Sequence, residues 1–407
     1  MSVNNVTFQQ SSAILNALVG QATGKTAVIS TEGDFVSVAQ TALNLPKDAV
    51  VNAISSVIAR TIFVNRIYNP KMKGLQKDLP TWGAYMRKLA VVESEWDDSK
   101  AHKYPVTFDA TESANPMGNG GSVDPWTIKK REIQQTNFLG QSVFQDHYTL
   151  FKNQFFPTFR SSQEFGEFVA MIATNMKNKI TVAKENISRY LVSNFGAGMI
   201  AENNTSRVVK LLTLYNNELG LTGNDAFTAT SIMHPDNYPA FIKWAYAKIA
   251  SIASLMTEYS KLYQTTINNK PVMKATPYQK QKVYILGGNK FAIESRVLAD
   301  TFHDGYLNKA DAEIINFWQG IEEPDKISIT PTYTSTSGEV VTSQSAITKT
   351  GVFGILFDED AIGWAPLFED VDPSPYNSAG KYWNLWYSFD IRTFTDFTEK
   401  GVIFLLE

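Results

Sequence analysis

The clearest pattern in the chain lies between residues 161 and 195. There Phe165, Phe168, Val169, Ile172, Met176, Ile180, Ala183, Ile187, Tyr190 and Leu191 follow one another mostly in steps of three and four. Such steps place side chains on one stripe of an α-helix. Ser161 and Glu164 form a capping-box pattern ahead of the stripe, and Gly196 with Gly198 supply a stop behind it. At 1.5 Å per residue the predicted helix is roughly 50 Å long, a spine for the molecule. A second stripe follows Asp236, a predicted cap, through Phe241, Ala245, Ile249, Ile252, Met256, Tyr259 and Leu262.

Ahead of the spine the pattern is different. Residues 1 to about 70 are polar at first and then carry the apolar clusters Val36–Val38 and Val50–Val64, which predicts an extended arm followed by a short helix. From Trp82 to Val92 runs WGAYMRKLAVV, and from Trp126 to Phe144 runs WTIKKREIQQTNFLGQSVF. Between them lies a turn-rich stretch with Pro105, Pro116, Gly118, Gly120, Gly121 and Pro125. Two such runs about a long tip predict an extended β-hairpin arm, whose partners lie elsewhere because a structureless loop of that length is unusual in a compact domain.

After the second helix the signals become those of strands. They are Lys282–Leu286, closed by Gly287 and Gly288 and followed by a helical stretch at Phe291–Phe302, then Ile327–Ile329, a Thr/Ser-rich turn region at Thr332–Ser345, Val352–Phe357 and Tyr382–Leu406. Helices and strands interleave without repeated βαβ units, so the predicted class is α+β.

Composition narrows the function. With 37 basic and 40 acidic residues the formal charge is -3, and Lys25 is the sole basic residue in 1–35, so there is no field or arm to condense nucleic acid. No cysteine is present, which removes disulfides, thiolate metal sites and thiol nucleophiles. Met1–Gln10 lacks the pattern of a signal peptide and no window holds 18 successive apolar residues, so neither export nor a membrane span is expected. The Asn-x-Ser/Thr triplets at Asn5, Asn186, Asn203 and Asn204 then have no role as glycosylation acceptors.

Candidate chemistry is thin. Gly20 to Thr26 resembles a phosphate-binding loop, but three residues separate Gly20 from Gly24-Lys25 where the motif needs four, and Ser12–Val19 lacks strand character, so a polar loop is the reading. His102, His147, His234 and His303 are isolated from one another, which gives no metal pair, and no Gly-x-Ser-x-Gly elbow exists. The acidic groups Asp97-Asp98, Glu322-Glu323 and Asp358-Glu359-Asp360 read as solvated turn caps rather than acid/base pairs. The aromatic run Tyr382–Phe389 is flanked only by Lys381 and Arg392, so it reads as a strand packed on the spine helix and not as a base-stacking platform. No catalytic residue, metal ligand or cofactor site is predicted.

Several segments carry a resemblance to a known family: Lys129-Lys130-Arg131-Glu132 through Phe144, the helix opening Phe165-Gly-Glu-Phe168-Val169, GVFGILFDEDAIGWAPLFEDV, and YWNLWYSFDIRTFTDFTEKGVIFLL. Over residues 75 to 406 their order and spacing resemble major capsid proteins of phi29-type podophages, with the Hong Kong 97 (HK-97-like) capsid fold. The resemblance implies an amino-terminal arm at 1–77, an extended loop at 78–138, a peripheral domain with the spine helix at 139–200 and 365–407, and an axial domain at 201–364. It implies a subunit of the icosahedral virion head that encloses double-stranded DNA, made in the host bacterial cytoplasm and not an enzyme. It also implies homo-oligomeric hexamers and pentamers, a scaffolding protein during assembly, a portal protein, only weak contact with packaged DNA, and no membrane partner. Tyr104, Phe108, Met117, Lys129, Lys130, Arg131 and Glu132 are the expected intersubunit contacts. The sequence ends at Glu407 without the immunoglobulin-like domain of some relatives, so that surface decoration is not expected.

Two alternatives stand beside this reading. An encapsulin-like compartment would use the same fold around a protein cargo. A nucleotide-binding enzyme would use Lys25 and Thr26, against the wrong loop spacing.

Overall fold

The computed structural model describes residues 8–23, 29–43, 72, 74–77, 86–92, 132–138, 141–151, 162–270, 272–289 and 311–407. Helix and strand are mixed, in an α+β arrangement. Residues Phe8–Thr23 (α1) and Glu32–Leu43 (α2) are helical, where the sequence pattern predicts an extended arm followed by a short helix. The reason is visible in the spacing of Leu15 and Val19, and of Phe35 and Ala39, i,i+4 pairs buried in the same core as Ile172 and Met176. The start of α2 is fixed by Thr31, whose hydroxyl accepts the Asp34 N–H at 3.2 Å while Asp34 accepts the Thr31 N–H at 3.0 Å. Those bonds from Thr31 and Ser30 hold the Asp34 carboxyl below its ordinary range. Gly20 of the loop-like motif lies inside α1, and Lys25 and Thr26 lie outside the described residues.

The predicted hairpin is formed by Met86–Val91 (β1) and Ile133–Phe138 (β2), antiparallel, with Met86 opposite Phe138 and Val91 opposite Ile133. The second predicted run is not a single return strand. Ile133–Phe138 pairs with β1, whereas Gln141–Phe151 (β3) belongs to another sheet.

The spine is Ser162–Ala201 (α3), 40 residues and so about 60 Å long, longer than the pattern predicts. Ser161 and the side chain of Glu164 lie outside the described residues. Of the predicted stripe, Ile172, Met176 and Leu191 are buried, Ile180, Ala183 and Ile187 are half-buried, and Tyr190 is exposed. From Leu191 to Met199 every residue is buried. The amphipathic pattern therefore ends where the helix passes fully into the core. Gly196 and Gly198 are not a stop: a Cβ on Gly196 would lie 2.9 Å from Ile355 Cδ1, and one on Gly198 would lie 2.4 Å from Phe397 Cζ. Glycine lowers helix propensity, and here it is retained because neighbours approach the helix backbone closely. Gly198→Ala is expected to destabilise the protein by about 1–3 kcal/mol, because Phe397 is packed on Phe195 and has nowhere to retreat. The melting temperature checks this; an unchanged value would mean that the ring yields freely.

Beyond the spine come Val208–Lys210 (β4), Leu211–Glu218 (α4), Ala229–Ile232 (α5) and Tyr238–Thr257 (α6). The N-cap of α6 is Asn237, one residue after the predicted Asp236, and Tyr259 and Leu262 fall past its end and are exposed. Strands Gln281–Leu286 (β5), Asp311–Ile315 (β6), Ile327–Ile329 (β7), Thr332–Thr334 (β8), Val340–Thr342 (β9), Ile347–Lys349 (β10), Val352–Asp358 (β11), Ile362–Pro373 (β12), Tyr382–Thr395 (β13) and Gly401–Leu405 (β14) complete the order. β5 ends at Leu286 ahead of Gly287 and Gly288, which are themselves helical, and the predicted helix at 291–302 lies outside the described residues. The region 332–345, read from sequence as a turn, contains the β8–β9 hairpin, and the terminal run 382–406 is two strands.

A five-stranded sheet in the order β4-β14-β11-β5-β6 separates two cores. Tyr284, Ile355, Phe357, Ile403 and Leu405 face the spine core, while Val283, Ile285, Leu356, Val402 and Phe404 face α6. That alternation is the period of two of a strand. In β11 the register shifts between Val352 and Gly354, and this bulge lets Val352 and Ile355 share one face across an odd number of steps. The second sheet, β12-β13-β3, lays Trp383, Leu385, Tyr387, Phe389 and Ile391 on the spine, as the aromatic run predicts. The division at 364/365 falls inside β12, and β14, allotted by sequence to the peripheral segment, is instead flanked by β4 and β11.

Candidate functional site

The described residues hold no group of three His, Asp or Glu side chains that could bind a metal, and none of their helices is long and apolar enough to cross a membrane. His147 lies with its ring centroid 4.6 Å from that of Trp386, and His234 is exposed beside Asp236 at 3.3 Å. His102 and His303 lie outside the described residues. What the fold does offer is uncovered apolar surface and an arm rooted in charge.

The uncovered surface has two parts. On the hairpin, Leu89, Val91 and Ile133 are exposed. On the outward face of the second sheet stand Val143, Phe151, Phe368 and Trp386, which alternate with the side chains turned to the spine. β3 is one of the two edge strands of that sheet among the described residues, and between it and α3 runs a groove lined by Phe144, Met176, Ile180, Ala183 and Phe389. Apolar side chains spread over an arm, a sheet face and a strand edge are what a subunit with several neighbours presents.

The hairpin root meets the body at charged groups. Lys88 of β1 reaches Asp396 at 3.1 Å and Glu399 at 3.4 Å and donates to the backbone oxygen of Asp360. Lys274 reaches Glu399 from the other side at 2.9 Å. Burial disfavours charge at both ends of the pair, yet Asp396 and Glu399 hold the Lys88 ammonium above the ordinary lysine value, and Lys88 and Lys274 hold the Asp396 carboxyl below the ordinary range. The acidic triplet is therefore not a set of solvated caps. Asp358 is buried, accepts the Thr276 hydroxyl at 2.6 Å, and is pushed upward by burial, while Asp360 pairs with Lys77 at 3.4 Å.

Behind this root two buried cations tie segments together. Arg207 donates to Gly401 O, Thr265 Oγ1 and Phe397 O at 3.2, 2.8 and 3.1 Å and pairs with Glu202 at 3.0 Å; burial lowers its pKa to about 10. Lys400 is fully buried and donates to Met256 O at 3.1 Å, Glu258 O at 2.7 Å and Ser260 Oγ at 3.2 Å, closing the C-terminal end of α6. Its pKa is pushed down by burial to about 8, against 10.5 for an ordinary lysine. The native state thus releases this proton before the unfolded state does, so the Lys400 contribution makes stability rise with pH from about 8 to about 10.5. Thermal melts from about pH 7 to about pH 9.5 are expected to show that rise in the parent and its loss in Lys400→Met. Equal slopes in the two proteins would contradict it.

Of the contacts predicted from sequence, Tyr104, Phe108, Met117, Lys129, Lys130 and Arg131 lie outside the described residues. Glu132 is placed at the end of the paired strands away from Met86 and Phe138, where its carbonyl accepts the Val92 N–H at 3.0 Å and its carboxylate pairs with Lys270 of the same chain. The sequence reading missed Lys88, Asp396 and Glu399. Lys88 sits in an alternating strand where lysine is ordinary, and its partner Glu399 lies 311 positions away.

A family model described as Phi29-like phage major capsid protein matches residues 14–404. No curated protein sequence matches the chain. Among solved structures, the capsid structure of Staphylococcus phage Andhra aligns over 84% of this chain and 86% of its own, with a TM-score of 0.53 and 12% identity. A chain from the structure of head fiber and inner core protein gp22 of native bacteriophage P68 aligns over 84% and 86%, with a TM-score of 0.51 and 10% identity. At such identities the likeness concerns the fold.

Proposed function

This chain belongs to the Phi29-like phage major capsid proteins, and from that premise we propose that its charge-rooted hairpin is the arm by which neighbouring subunits clasp one another. The chain is a structural subunit of a homo-oligomeric phage capsid with the HK-97-like fold, and its place is the virion. The observation that carries the arm reading is the exposure of Leu89, Val91 and Ile133 on strands that pair only with each other among the described residues. Such side chains gain by burial on a second subunit, and the outward sheet face and the groove beside β3 offer apolar surface of the same kind.

In this reading residues 78–138 are the extended loop, and the spine with β3, β12 and β13 forms the peripheral part. The five-stranded sheet with α6 forms the axial part, β14 included. Hexamers and pentamers build the shell, with a scaffolding protein during assembly and a portal protein at one vertex, after synthesis in the bacterial cytoplasm. The chain does no catalysis. DNA is held weakly, because a formal charge of -3 leaves little to bind phosphate. Particles purified from infected cells are expected to carry this chain around nuclease-protected double-stranded DNA. Particles filled with protein cargo and free of DNA would instead favour the encapsulin-like alternative. Equilibrium binding is expected to show no ATP affinity in either the parent or Lys25→Ala, since the loop spacing is wrong; micromolar binding lost in the variant would contradict this.

A further inference from the structure

Among the described residues the hairpin meets the body through a handful of side chains. Among the described residues β1 and β2 share backbone hydrogen bonds only with each other within the sheets. Glu132 pairs with Lys270, but both side chains are about half exposed, and pairs of that kind contribute little. Phe138 rests on Phe394 with ring centroids 5.7 Å apart. Lys88 differs from these. Its ammonium enters a recess formed by Asp396, Glu399 and the carbonyl of Asp360, and it lies 5.5 Å from the centre of the Phe394 ring. With the hairpin in place the Asp396 side chain is 2% exposed, so the seated Lys88 pairs with a carboxylate that has given up most of its water.

The recess is firmly built. Asp396 Oδ1 accepts the Thr398 N–H at 2.9 Å and hydroxyl at 2.7 Å, and the Asp396 N–H donates to Ala361 O at 2.7 Å. The next residue, Phe397, packs on Phe195 of the spine at 5.1 Å and gives its carbonyl to Arg207, which is paired with Glu202 just beyond α3. Lys88 is therefore joined, through one turn, to the C-terminal end of the spine.

We propose that Lys88 is the latch that sets the direction in which the arm leaves the body, with the turn bearing Asp396 and Glu399 as its socket and the end of the spine as the frame behind it. The proposal rests on the arm reading only in its consequence, since direction matters once the arm meets a neighbour. The contact itself belongs to the single chain. A cation on a strand and an acid-lined recess on the body form a joint that can open and reseat without disturbing either core, because no described side chain of β1 or β2 belongs to the two buried clusters.

Hydrogen exchange read by mass spectrometry on the unassembled full-length protein tests this. Lys88→Met keeps the length of the stem and removes the charge. It is expected to speed exchange in β1 and β2 by about tenfold or more while leaving β11 and β14 unchanged. Glu399→Gln, which leaves Asp396 and Arg207 in place, is expected to give a smaller acceleration confined to the same strands. Unchanged exchange in the hairpin of Lys88→Met overturns the proposal. So does equal acceleration in β11 and β14, which would make Lys88 a general contributor to stability. Should Lys88→Met fail to fold, Glu399→Gln decides by the same two criteria. Shell formation by the parent protein is scored separately, so failure of the capsid assignment and failure of the latch remain distinct results.

Discussion

Ile172→Asp is expected to abolish accumulation of folded protein. Ile172 is fully buried on the stripe of the spine that meets α1 and α2, in one core with Leu15, Phe35 and Met176. A carboxylate there loses its hydration and gains no cation. It must either remain charged in an apolar surrounding or take up a proton, and both courses destabilise the native state, on the order of 5 kcal/mol. That equals much of the roughly 5–15 kcal/mol by which a domain is stable. Because α3 also carries residues against β7, β8, β12 and β14, loss of its packing would disturb both sheets. Soluble yield and a thermal melt provide the measurement. A normal yield with a cooperative transition would show that the stripe is not a core face.

Replacing His102–Asp124 by a short glycine-containing turn is expected to do the opposite, sparing the fold and removing the shells. The segment carries few large apolar side chains apart from Tyr104, Val106, Phe108, Met117 and Val123. Within one subunit little stability depends on so little apolar surface, whereas an interface between subunits needs on the order of 1,000 Å². No described side chain of the two flanking strands belongs to either core, so a shorter connection leaves both cores intact. Sedimentation beside the parent protein is expected to show a monomer with nearly unchanged melting and little or no fast-sedimenting material. Shells as abundant as those of the parent would withdraw the clasp assignment of residues 78–138.

The spine, the hairpin strands and the aromatic strand on the spine were legible in the sequence because each is written in a local period. The three- and four-residue steps from Phe165 to Leu191 and the alternation from Tyr382 to Phe389 need no knowledge of partners. What was not legible depends on partners distant in sequence. Gly196 and Gly198 read as a stop, since nothing local announces that Ile355 and Phe397 press against the helix there. The Asp358-Glu359-Asp360 triplet read as solvated, although Asp358 is buried, accepts the Thr276 hydroxyl and stands opposite Gln281 of β5. The helix at 8–23 read as extended arm because Leu15 and Val19 are organised by burial against the spine, which nothing local in the sequence announces. Lys88, Asp396 and Glu399 lacked any signal in the sequence, since an ion pair closed over some 300 positions leaves no spacing to detect.

The acid side of the Lys88 socket has a pH signature of its own. The folded Asp396 carboxyl titrates below its ordinary value of 3.8, so its contribution is present above that value and is lost as pH falls through the folded pKa. Shell assembly that relies on this joint is therefore tested best near neutral pH, where the pair is fully charged. The most direct measurement is electron microscopy of the purified protein, alone and after co-expression with a candidate scaffolding protein. Closed shells of uniform size, built from this chain, are the result expected of a capsid subunit with an arm and a spine. A compact monomer under every concentration and co-expression tried would contradict it.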